Sequence, residues 1–195
     1  MKKVLGSVLL LTSVYATAGE NYFQDAWDAK GLLAIEGAFG TAQTKQVQDN
    51  PSGGVHVLSS ESKSDVAGGL KLGGESEDYR VFISARYHVV DGFDSVITAG
   101  AELQYLLRAG ENFNLFLGLN GGALGSQATV GSTQYSYWDP YAGADIGANI
   151  DIHENFGLEF GARFNKGFGD QNDPAVIDYL AEGYVSLVFK FTGEY

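Results

Sequence analysis

The chain has 195 residues, with 24 acidic and 12 basic side chains and a formal net charge of −12. That length suits one domain, and the acidic balance excludes a surface built to neutralise nucleic-acid phosphates. Cysteine is absent and proline occurs only three times, which excludes a disulfide framework and a proline-rich linker.

Met1, Lys2 and Lys3 precede the apolar run Val4–Leu11, and Ala16-Thr17-Ala18 supplies a small-x-small cleavage pattern. This predicts a secretory signal peptide over residues 1–18. Its apolar run is too short to cross a bilayer as a helix, and no later stretch approaches the about 20 apolar residues such a helix needs. Residues 19–26 read as a short periplasmic lead-in, and the barrel domain described below is expected over 27–195.

From Trp27 onward, apolar and polar residues alternate at period two in eight segments separated by turn-rich breaks. The first places Trp27, Ala29, Leu33, Ile35 and Phe39 on one parity, and Asp28, Lys30, Ala34, Glu36 and Ala38 on the other. The second, near 64–72, opposes Val66, Leu70 and Leu72 to Asp65 and Lys71. The third opposes Tyr79, Val81, Ile83 and Tyr87 to Arg80, Ser84, Arg86 and His88. The fourth sets Ile97, Leu103, Tyr105 and Leu107 against Thr98, Glu102 and Gln104. The fifth sets Phe113, Leu115, Leu117 and Leu119 against Asn114, Gly118 and Asn120.

The sixth opposes Ala144, Ile146 and Ile150 to Asp145, Asn149 and Asp151. The seventh opposes Phe156, Leu158, Phe160 and Phe164 to Glu159, Arg163 and Asn165. The eighth opposes Val185, Leu187, Phe189 and Phe191 to Glu182, Tyr184, Ser186 and Lys190. No apolar parity carries a charge. Phe82, Leu106 and Phe116 interrupt the polar parity, as bulky groups in a packed interior would.

The breaks alternate in length. Short turns are expected at 73–78, 108–112 and 153–155, and longer loops at Gly40–Lys63, Val89–Asp94, Ser126–Tyr137 and Lys166–Asp178. That rhythm predicts an all-β, eight-stranded, antiparallel up-and-down transmembrane barrel. Period two also suits a soluble barrel with its apolar face inside. Three features favour lipid on the apolar face. The first is the signal peptide. The second is a polar face rich in small residues, where a water-facing surface carries denser charge. The third is a pair of aromatic girdles: Trp27, Tyr79, Tyr105, Phe113, Phe156 and Phe191 at the short-turn end, and Phe39, Tyr87, Trp138, Phe164 and Tyr179 at the other.

These segments, the signal Met1–Ala18 and the closing run Tyr184-Val185-Ser186-Leu187-Val188-Phe189-Lys190-Phe191 resemble the eight-stranded outer-membrane barrel family of OmpA and OmpX type, often grouped as porin-family proteins. Two departures stand out: Tyr195 follows Thr192-Gly193-Glu194 where the family's terminal aromatic closes the last strand, and no peptidoglycan-binding domain is expected after the barrel. The resemblance implies an outer-membrane location, contact with membrane lipid and lipopolysaccharide, and handling by the barrel-assembly machinery. It also implies a structural or surface-interaction role, in membrane integrity, adhesion or reception, with an extracellular ligand or host surface at the loops. A narrow channel for small solutes or ions is the alternative, and a lipid A-modifying enzyme a remote one.

Polar-parity charges are expected to face the lumen. Glu36, Arg86, Arg163 and Glu182 fall toward the loop end, Glu102, Asp145 and Glu159 near mid-height, and Lys71, Arg80, Asp151 and Lys190 toward the turn end. Either they neutralise one another as a plug, or Arg163 with Glu182 forms a gate. An acyl-transfer enzyme would need a histidine beside a nucleophile and a carboxylate. His88, with Ser84 on its face and Asp91 and Asp94 beyond, permits such contact without requiring it. No catalytic residue, cofactor or metal is expected, and Asp170-Gln171-Asn172-Asp173 reads as an acidic surface loop because it lacks the glycine and distal glutamate of a calcium loop.

Overall fold

The computed structural model describes residues 30–49, 55–130, 132–170, 173 and 175–191. The expected signal peptide, the segment 19–26, Trp27 and Tyr195 lie outside the described residues. Eight strands follow one another: β1 (Lys30–Asp49), β2 (Val55–Glu75), β3 (Tyr79–Val90), β4 (Ser95–Arg108), β5 (Phe113–Val130), β6 (Thr133–His153), β7 (Phe156–Gly167) and β8 (Ala175–Phe191). Each pairs antiparallel with the next, and β8 returns to β1 to close the barrel. Closure leaves no unpaired strand edge, which is what a sheet in lipid requires, because hydrocarbon offers backbone groups no hydrogen bonds.

Side-chain alternation turns this barrel inside out relative to a soluble one. Among the described residues of the strands, twenty-seven large hydrophobic residues are exposed on the outer wall, Ile83 at 73% and Leu119 at 67% among them, while eleven Asp, Glu, Lys and Arg side chains are buried within. In water the outer wall would be far larger than any ordinary apolar patch. Only lipid solvates it, and the molecule is a transmembrane barrel. Phe82, Leu106 and Phe116 point inward and are buried, as their parity predicts.

Glycines make the interior fit. A Cβ at Gly118 would lie 2.4 Å from the Asp145 carboxylate, and one at Gly147 would lie 2.4 Å from the Phe116 ring. Small residues on one strand therefore leave room for large ones on the next, as an eight-stranded lumen demands. Gly92, at φ 86°, makes the turn between β3 and β4 in the left-handed region.

The strands are longer than the alternation predicts. Gly40–Lys63, expected as a loop, is mostly the paired continuation of β1 and β2, and Ser126–Tyr137 likewise continues β5 and β6. The Lys166–Asp178 connection shortens because β8 begins at Ala175. β1 and β2 run 20 and 21 residues, about twice the 9–11 that cross a membrane. Beyond the bilayer a strand has no lipid face, so it needs no apolar alternation and does not announce itself as strand.

Candidate functional site

The lumen is filled by side chains that all eight strands direct inward at alternate positions. Glu36 is the hub. Arg163 grips it with two parallel bonds, Nη1 to Oε1 at 2.8 Å and Nη2 to Oε2 at 2.9 Å. Arg86 Nε donates to Oε1 at 2.6 Å, Lys71 Nζ lies 2.8 Å from Oε2, and Ser186 Oγ donates to Oε2 at 3.3 Å. Arg86 also bonds Glu102, and Lys71 donates to Glu159 at 2.9 Å and reaches Glu102 at 3.6 Å. Three cations thus face three carboxylates. The Tyr184 ring completes the centre, 4.3 Å from the Arg163 guanidinium and 4.8 Å from Lys71 Nζ.

Toward the short-turn end, Arg80 bridges Glu159 at 3.3 Å and Glu75, and Lys190 joins Glu75 and Asp151, each at 2.9 Å. This layer is balanced as well. Asp145 stands apart: its partners are neutral, Gln104 at 3.2 Å, Asn120 at 3.3 Å and the Tyr184 hydroxyl at 3.4 Å.

Toward the other end lies a trio from three strands. His88 Nδ1 is 3.2 Å from Asp65 Oδ2 and 3.4 Å from Glu182 Oε1, and its Nε2 is 2.9 Å from Thr98 Oγ1. An apolar layer of Val90, Val96, Leu124, Tyr141, Ile177 and Leu180 forms a buried cluster at the same end.

The structure gathers Glu36, Arg86, Glu102, Glu159, Arg163, Lys71, Arg80 and Lys190 into this network and corrects the expected details. Lys71 belongs to the middle, not the turn end, because its register opposite Ser84 brings it level with the Arg86 cluster. Arg163 and Glu182 are opposite in register, as their spacing suggests, yet they stand 3.7 Å apart while Glu36 takes the bidentate bond. Asp145, grouped with the charge network, has no ion pair among the described residues. Ser84 Oγ lies 3.1 Å from the Arg86 guanidinium, which donates to it, and His88 is held by Asp65 and Thr98, so the two do not form a nucleophile–base pair. Glu75, Thr98, Gln104 and Asn120 carry roles that sequence reasoning passed over, although all four sit on the polar parity that signals a luminal position; Glu75 falls in the segment 73–78, expected as a turn but the end of β2 in the structure.

Outside, the aromatics fall into two belts. Tyr79 packs on Tyr105 at 5.2 Å between ring centres, and Phe156 on Phe189 at 5.6 Å, with Phe113 and Phe191 at the same end. At the other end Phe164 packs on Tyr179 at 5.3 Å, with Phe39, Tyr87 and Trp138 exposed around the wall. Eight residues separate Tyr79 from Tyr87 and Phe156 from Phe164, about 26 Å of strand, which at the tilt of such strands is about 20 Å of height between ring-bearing positions, within the roughly 25 Å apolar band of such barrels.

Beyond the second belt, Asp178 is bonded by Lys166 and approached by Lys45 at 3.4 Å. Partial burial pushes its carboxyl up, but the two ammonium groups outweigh this and hold it below the ordinary value. Asp173, in the same connection, is pushed up by burial and by the neighbouring Asp170.

No protein-family model matches the chain, and no curated protein matches it in sequence. Solved structures do match. Neisserial surface protein A superposes with a TM-score of 0.61 at 15% identity, over 82% of this chain and 97% of that one. The N-terminal β-barrel domain of Pseudomonas aeruginosa OprF gives 0.53 at 13% identity, over 84% and 99%. Outer membrane protein H of Pseudomonas aeruginosa gives 0.53 at 14%, over 83% and 99%. With its apolar outer wall, two aromatic belts and charged interior, this chain has the fold of the eight-stranded bacterial outer-membrane β-barrels.

Proposed function

We propose that the protein is a sealed outer-membrane scaffold that acts at the cell surface through projecting β-hairpins, in a structural or surface-interaction role. The observation that carries this reading is the dry interior. Lys71, Arg80, Glu102 and Glu159 are at most 1% exposed, whereas a water-filled path would leave luminal charges wet. The charges of this central layer are spent on one another, so it offers a passing ion no free ligand.

What remains for a partner is the outer end. The β1–β2 and β5–β6 hairpins rise beyond the second aromatic belt on opposite sides of the barrel, while β3 and β7 stop at 12 residues. The first hairpin is rich in Thr, Gln and Ser. The second carries Tyr135 and Tyr137, stacked at 6.3 Å and 7°. Polar and tyrosine-bearing surfaces of this kind suit an extracellular macromolecule, and the belts suit lipid and lipopolysaccharide.

Liposomes carrying the folded barrel and challenged with small sugars are the test. The scaffold reading expects swelling no faster than in protein-free liposomes, together with outside access to protease between β1 and β2 in intact cells. Rapid swelling, or a β1–β2 connection protected from outside, would overturn it.

A further inference from the structure

We propose that Asp65, His88 and Glu182 form a buried site for a divalent transition cation, Zn²⁺ being the ion its donors suit best, against the expectation of no metal from sequence alone. Asp65 on β2, His88 on β3 and Glu182 on β8 offer one ligand atom each within 4.8 Å of one another. The His88 Nδ1 distances to Asp65 and Glu182, 3.2 and 3.4 Å, match the about 3.3–3.5 Å edge of a tetrahedron with Zn–ligand bonds of about 2.0–2.2 Å.

Two further observations point to a ligand. Asp65 Oδ1 and both carboxylate oxygens of Glu182 are buried with no hydrogen-bond partner, a costly state for an anion. Asp65 and Glu182 are 1% and 4% exposed. Charge accounting agrees. The five luminal Lys and Arg side chains already face five carboxylates, Glu36, Glu102, Glu159, Glu75 and Asp151. Asp65 and Glu182 are left with a distant share of Arg163 at 3.7 Å and with His88. A protonated imidazole leaves them one positive charge short. A dication matches both.

Thr98 supplies the remaining part. With the cation on Nδ1, Nε2 carries the proton and donates to Thr98 Oγ1 at 2.9 Å, the outer hydrogen bond that fixes tautomer and ring in metal-bound histidines. The site would tie β8 to β2 and β3 across β1, next to the seam where the barrel closes. Because its ligands are enclosed, the ion enters during folding.

The unfolded full barrel would be refolded in detergent with ZnCl₂ or with EDTA, dialysed, and assayed for bound zinc and urea midpoint. The expected result is about one Zn²⁺ per folded chain and a higher midpoint than in EDTA. Glu182→Gln and His88→Gln should lose the bound zinc, the double variant His56→Ala/His153→Ala should keep it, and Thr98→Val should weaken it about 10- to 100-fold. Should either glutamine variant fail the heat-modifiability check for folding, Asp65→Asn replaces it. A wild-type barrel that retains no zinc, or glutamine variants that retain as much as wild type, would overturn the site.

Discussion

Arg163 on β7 and Glu36 on β1 are 127 residues apart in sequence and share two parallel hydrogen bonds, at 2.8 and 2.9 Å, inside the lumen. Planar fork-to-fork pairing is the strongest geometry for these ions. Because Glu36 also meets Arg86 and Lys71, the barrel's first strand is pinned from three directions by one carboxylate.

Glu36→Gln removes the one carboxylate that, among the described residues, makes direct ion pairs with Arg163, Arg86 and Lys71, while keeping the side chain's volume. Breaking a buried pair on one side typically costs about 3–5 kcal/mol, and a loss in that range is expected from the urea midpoint of the refolded barrel. A loss under about 1 kcal/mol would show that the hub carries little of the stability.

Gly118→Ala and Gly37→Ala make a matched pair. A Cβ at Gly118 would meet the Asp145 carboxylate at 2.4 Å, whereas at Gly37 nothing lies within 4 Å. The first should cost about 1–3 kcal/mol through overpacking, and the second should be near neutral, both read from thermal loss of heat-modifiability. Equal effects would contradict the packing account of the luminal glycines.

Ile83 lies midway between the belt residues Tyr79 and Tyr87 and is 73% exposed. Ile83→Arg is expected to cost about 2–4 kcal/mol in lipid, the figure for a cation at the bilayer midplane. In a water-facing wall the same change would be close to neutral. Folding equilibria in phospholipid vesicles separate the two.

Asp178 has a folded-state pKa held below its unfolded value by Lys166 and Lys45. Its stabilisation is therefore present above the unfolded value and disappears as pH falls through the folded one. Asp178→Asn should flatten that acid limb slightly, by less than about 1 kcal/mol given the part-exposed lysines, and high salt should shrink the difference. A variant whose acid limb matches wild type would remove the pair from the account.

Period two made the wall legible: Val81, Ile83 and Tyr87 outward, and Arg80, Arg86 and Glu102 inward, follow from parity alone. The hairpin arms were not legible, because segments such as Thr41–Lys45 leave the lipid and stop alternating. Pairing inside the lumen was only half readable. Arg163 opposite Glu182 is a neighbouring-strand relation that spacing suggests, but the preference of Arg163 for Glu36 reaches over β8 to the next strand and depends on strand tilt and stagger, which no local pattern encodes. The Asp65–His88–Glu182 trio escaped notice for the same reason: its members come from β2, β3 and β8, and each alone reads as an ordinary polar-parity residue.

The sealed interior is tested most directly by conductance of the refolded, heat-modifiable barrel in planar bilayers at two salt concentrations. With insertion verified, the filled lumen predicts a silent membrane at both. Discrete current steps that scale with salt would contradict it, and would mean that the Glu36 network opens a path for ions.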